Sequence, residues 1–108
     1  MARTVLVTGV SRHLGGIVAR RLARHPEVGH VIGVDVIPPP HPIGETEFVR
    51  ADIRNPMIGR IISDAEVDTV VHMNVIATPT LAGGRTPQKE INVIGTMQLL
   101  AACQKSPT

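Results

Sequence analysis

The 108-residue chain has no tryptophan, no tyrosine and a single phenylalanine. Without a phenol it has no tyrosine to act as acid or base, and without a set of rings it has no platform on which unpaired bases stack. The arginines are scattered and the formal net charge is only +2, so nothing steers the chain toward nucleic acid. Cys103 is the one cysteine; it cannot close an internal disulfide and fits a reducing compartment. No apolar run reaches the length of a membrane span, and the first strand starts directly after Arg3, which leaves no room for a leader. A cytoplasmic protein is expected, with neither membrane nor nucleic acid as a partner. The five histidines have no spacing that sets two on one helix face, so no metal site is expected. What remains is a 43% hydrophobic chain, enough for one domain or part of one over residues 1–108.

What is present begins at once. Thr4 to Thr8 is a β-branched and aliphatic run bounded by Gly9, too short for a helix, and reads as a buried parallel-type strand. From Leu14 the period changes: Leu14, Ile17, Val18 and Leu22 predict the apolar face of a helix, with Arg20, Arg21 and Arg24 turned to water. A strand that passes through a glycine-bearing turn into a helix aims free amides and a positive dipole end at the strand top, where a phosphate can sit. Gly9 permits the tight turn, and Gly15 with Gly16 allows the helix to approach the strand. A central glycine expected at position 12 or 13 is replaced by Arg12 and His13.

Proline and glycine in His25-Pro26-Glu27-Val28-Gly29 end that helix, and His30 to Asp35 reads as a second buried strand closing on an acid. Asp35 follows Gly15 by about twenty residues, the position of a ribose-binding carboxylate. Such a group accepts from both ribose hydroxyls and repels a 2′-phosphate, which favours NAD over NADP. Arg12 and His13 pull the other way, since basic groups beside the turn can pair with that phosphate. The better constrained strand-end acid decides for NAD. Pro38, Pro39, Pro40 and Pro42 make the next stretch a stiff loop. Glu47 to Arg50 is a short strand that delivers Asp52 and Ile53 to the sheet edge, Asp52 to accept from a base amino group and Ile53 to pack on its face. Met57 to Ala65 reads as a short helix and Val67 to Asn74 as a fourth strand, in which His72 is read as a satisfied structural histidine. A long helix is expected from Thr86 to Cys103, capped by Thr86 and apolar on more than one face.

Val7-Thr8-Gly9 through Gly15-Gly16, Val34-Asp35, Ala51-Asp52-Ile53 and Asn92-Val93-Ile94-Gly95-Thr96-Met97-Gln98-Leu99-Leu100 together resemble the extended short-chain dehydrogenase/reductase family. Within it they resemble the NAD-dependent epimerase/dehydratase group that includes UDP-glucose 4-epimerase. The resemblance covers nearly all of this chain but only the N-terminal part of a family member. It implies cofactor contacts at Gly9, Arg12, His13, Leu14 and Gly15 for the pyrophosphate, Asp35 for the ribose, Asp52 and Ile53 for the base, and backbone of His72, Met73, Asn74 and on to Ile76 near the second ribose. It also implies a catalytic Tyr-x-x-x-Lys pair, which this sequence lacks, so no catalytic residue is assigned and the chain alone is expected to be inactive.

The expected fold is α/β: a Rossmann-type doubly wound parallel sheet cut short after its fourth strand and the following helix, strand order 3-2-1-4, with right-handed crossovers. The expected function is the NAD-binding portion of an epimerase or dehydratase acting on a nucleotide sugar. The alternatives are a non-catalytic NAD(P)-binding redox sensor and a scaffold of the same fold. A fourth strand left as an edge predicts a homo-oligomer.

Overall fold

A computed structural model describes residues 3–73 and the helical positions 97, 99, 100 and 103. Its elements run β1 (Arg3–Thr8), α1 (His13–Arg24), β2 (Val28–Asp35), β3 (Glu47–Arg50), α2 (Met57–Asp64) and β4 (Thr69–His72). All three strand pairings are parallel and the order is β3-β2-β1-β4, as the sequence predicts. β1 and β2 are the inner strands, and each is buried on both faces. Leu6 joins Ile32, Val34, Ala51, Ile58, Ile62 and Val67 on the α2 side, while Val5, Val7 and Val31 meet Val10 and Ala19 on the α1 side. This alternation turns a continuous aliphatic run into two cores.

The buried face of α1 differs from the expected one. Leu14 is 63% exposed, and the helix buries Gly15, Gly16 and Ala19, with Leu22 and Ala23 half-buried beside them. Close approach to the strands selects the smallest side chains, not the largest. A Cβ on Gly15 would stand 2.1 Å from the carbonyl oxygen of Gly9. His25 caps the far end through its amide on the Leu22 carbonyl, and Pro26 follows.

The connection from β2 to β3 carries no helix. Its proline-rich segment is strapped over α1 instead: Ser11 Oγ donates to the Ile37 carbonyl at 2.5 Å, Arg50 Nε donates to the Val36 carbonyl at 2.9 Å, and Ile43 joins the α1-side core. The His41 ring lies against Gly16. α2 ends in a Schellman turn, in which the Val67 amide bonds the Ile62 carbonyl at 3.0 Å and the Glu66 amide bonds Ser63 at 3.2 Å. Glu66 takes the left-handed position, at φ 53°, that glycine normally fills. The predicted helix from Thr86 lies mostly outside the described residues. Of its described positions Leu99 is buried in the α2-side core, Cys103 packs against that core, and Met97 and Leu100 are 64% and 58% exposed.

Candidate functional site

The four strands bring Thr8, Asp35, Arg50 and His72 to one edge of the sheet. Beyond Thr8 the chain turns sharply. Gly9 has φ 71°, a conformation a side chain would strain, and its amide and that of Val10 both reach the Val34 carbonyl, at 3.0 and 3.4 Å. The Arg12 amide closes the turn on the Gly9 carbonyl at 3.1 Å, and Arg12 is extended at the N-cap of α1. No side chain caps that helix and no acid stands in its first turn. The start of α1, at His13, Leu14 and Gly15, therefore keeps an uncompensated positive end with open amides, the arrangement that suits an anion. Arg12 adds to it, its Nε buried without a hydrogen-bond partner among the described residues.

Asp35 is 5% exposed and is fixed from two sides. Its Oδ2 accepts the Ser11 amide at 3.1 Å and its Oδ1 accepts the Val36 amide at 2.7 Å. The strand-end acid and the glycine turn are thus one construction. A carboxylate with about four acceptor lobes still has room for two hydroxyl donors after these bonds.

One strand further out, the Ala51 amide bonds the Asp35 carbonyl at 3.0 Å, which carries Asp52 to the same edge. Asp52 is gripped by Arg54: Nη2 to Oδ2 at 2.6 Å, Nε to Oδ1 at 3.0 Å, and the Arg54 amide to Oδ1 at 2.9 Å. These bonds, the side-chain one foremost, hold the Asp52 carboxyl below the usual carboxylate range against the opposing effect of its partial burial. Ile53 is placed otherwise than expected. Its side chain is 1% exposed and is packed inside the protein, so it presents no face to a base.

On the other flank Thr8 Oγ1 lies 2.6 Å from His72 Nδ1 and accepts the Met73 amide at 2.9 Å. Burial lowers the His72 pKa and keeps the ring neutral, in keeping with its reading as a structural histidine. The Met73 amide is spent on Thr8, and Asn74 lies outside the described residues. Burial raises the Cys103 thiol pKa, which fits a packing role. A groove of about 580 Å³ between α2 and β3, lined by Ile32, Val49, Met57 and Ile61, contains none of the expected site residues.

Ser11, Thr8 and Arg54 are the participants that motif reading does not assign. Thr8 ends β1 just before the turn glycine and Ser11 lies in the turn, and a short polar residue close to a turn glycine is the signal that could have found them. The Arg54 grip on Asp52 follows from a turn, closed by the Asn55 amide on the Asp52 carbonyl at 2.8 Å, and periodicity does not reveal it.

Comparison with known proteins extends this picture. The chain is 50% identical over 110 residues to the uncharacterized protein Rv0501 of Mycobacterium tuberculosis, and equally to the uncharacterized protein Mb0513 of Mycobacterium bovis, covering 98% of this chain and 29% of each relative. Among solved structures it is similar to a UDP-glucose 4-epimerase from Stenotrophomonas maltophila with bound NAD and formylated UDP-arabinopyranose. There the TM-score is 0.80 at 23% identity, over 96% of this chain and 34% of that one. It is also similar to a UDP-glucuronic acid 4-epimerase mutant from Bacillus cereus in complex with NAD, with TM-score 0.77 and 26% identity over 96% of this chain and 37% of that one. This chain thus spans 29% of the length of these two relatives and under two-fifths of each of these two solved chains. A family model matches residues 5–108, and on that match the chain belongs to the NAD dependent epimerase/dehydratase family.

Proposed function

We propose that this chain is the NAD-binding portion of an NAD-dependent enzyme that epimerises or dehydrates a nucleotide-activated sugar. The observation that carries the reading is the 3.1 Å bond from the Ser11 amide to Asp35, which ties an acid suited to a ribose directly to a turn suited to a diphosphate. The residues present fit the cofactor. Gly9 makes the sharp turn at φ 71°, Gly15 lets the start of α1 pack directly on that turn, and α1 offers amides with no cap of its own. The pyrophosphate would lie at His13 to Gly15, the adenosine ribose at Asp35, the adenine at Asp52, and the second ribose along the backbone at His72 and Met73. When bound, NAD would supply a reversible hydride acceptor. The residues that act on the sugar are proposed to belong to the remainder of a longer protein, since this chain spans 29% of its curated relatives. The buried carboxylate of Asp35 also supports NAD over NADP, because a 2′-phosphate would bring a second negative charge against it.

Isothermal titration with NAD and NADP tests this. NAD is expected to bind more tightly than NADP, and Asp35→Ala to erase the preference. Equal affinity for both in the unaltered chain would contradict the assignment of Asp35.

A further inference from the structure

The Asp52–Arg54 pair is more constrained than a surface ion pair needs to be. The two residues are separated by one position, so the guanidinium must fold back over the turn to reach the carboxylate. It does so with Nε and Nη2 both engaged, while the Arg54 amide holds Oδ1 from below. Both side chains stay partly open, 37% exposed for Arg54 and 28% for Asp52, so the pair can meet a ligand. Counting acceptor lobes shows what it can offer. The one Nε hydrogen is shared between Oδ1 at 3.0 Å and Oδ2 at 3.1 Å, Nη2 bonds Oδ2 and the amide bonds Oδ1, so three donor hydrogens meet the carboxylate. With about four acceptor lobes, about one is left for a group outside the chain.

We infer that Arg54 is a positioning residue that sets the base preference of the nucleotide site, orienting Asp52 so that one carboxylate lobe faces the purine edge as an acceptor only. This rests on the reading of Asp52 as the adenine contact. The consequence is chemical. At C6 adenine carries an amino group that donates to the lobe, whereas hypoxanthine carries a carbonyl oxygen there that the lobe repels. A carboxylate free to rotate could turn away from the carbonyl and discriminate less. The paired guanidinium also keeps Asp52 ionised, so it does not gain a proton with which to satisfy a carbonyl.

The test compares binding of NAD and nicotinamide hypoxanthine dinucleotide by titration calorimetry to the chain and to Arg54→Met, Arg54→Lys and Asp52→Ala. The unaltered chain is expected to prefer NAD by about tenfold, the scale of one charge-assisted hydrogen bond. Arg54→Met is expected to lose most of that ratio through weaker NAD binding, with little change for the hypoxanthine dinucleotide, and Arg54→Lys to fall between. In Asp52→Ala, adding Arg54→Met is expected to change nothing further, since Arg54 acts through Asp52. If NAD binds but Arg54→Met keeps the ratio, or weakens both dinucleotides equally, the inference is overturned while the nucleotide reading stands. If the folded, unaltered chain binds neither dinucleotide, the nucleotide reading falls and the inference with it.

Discussion

Ser11 and Asp35, separated by 24 positions and standing on different elements, are joined by an amide-to-carboxylate bond of 3.1 Å. The bond makes the end of β2 a structural part of the turn that follows β1. It also gives Asp35 two duties that pull apart on mutation. Asp35→Ala leaves the buried Ser11 amide without its acceptor, which should cost about 1–3 kcal/mol of stability. Loss of cofactor choice is then a separate effect. Chemical denaturation measures the first and calorimetry on still-folded protein the second; an unchanged denaturation midpoint would contradict the structural duty.

Gly15 and Gly16 are neighbours with opposite tolerance. A Cβ at Gly15 meets Gly9 backbone, which cannot move without opening the turn, whereas at Gly16 it meets only the His41 ring. Gly15→Ala should destabilise by about 2 kcal/mol and abolish nucleotide binding. Gly16→Ala should stay within about 1 kcal/mol, the displaced ring offset by alanine's better helix propensity. Thermal unfolding of the two variants checks the order, and a more damaging Gly16→Ala would contradict it.

Glu66 holds a left-handed position at the end of α2. Glu66→Gly removes the Cβ strain, keeps the Schellman bonds and should stabilise the fold by about 1 kcal/mol. Urea denaturation provides the measurement, with a lowered midpoint as the contrary result.

Two groups make stability fall on acidification, in separate windows. Burial depresses the His72 pKa, so the unfolded chain takes up the proton first; stability present above about pH 6.5 erodes as pH falls below it. The Arg54 bonds depress Asp52, whose contribution is intact above the ordinary aspartate value of 3.8 and is lost as pH falls through the lower folded-state value. Its part exposure keeps that contribution small. His72→Gln should flatten the upper window alone, read from denaturation midpoints between pH 7 and 5.

Much of this was legible in the sequence. The Thr4 to Thr8 run, Gly9 and Asp35 imply the strand, turn and acid that the structure contains, because a buried parallel strand needs aliphatic residues and a tight turn needs a glycine. Leu14 and Ile53 read less well. Periodicity ranks residues by hydrophobic size, whereas contact between α1 and β1 is ruled by how close two backbones can come, so Gly15 and Ala19 take the inner face and Leu14 is left outside. Ile53 is an aliphatic residue in a turn, and the core claims it before any ligand can. The Arg54 clasp on Asp52 depends on a local turn, which neither composition nor period encodes.

Self-association is proposed for this chain through β4, which pairs only with β1 among the described strands. Sedimentation velocity over a range of concentrations should show a growing dimer fraction. A single monomer boundary throughout would contradict it.

The most direct test of the nucleotide site is the amide proton–nitrogen spectrum of the labelled chain during titration with NAD. The account predicts the largest shifts at Gly9, Ser11, His13, Leu14 and Gly15, with smaller ones at Asp35 and Asp52. Shifts confined to other residues, or none at millimolar NAD in well-folded protein, would contradict it.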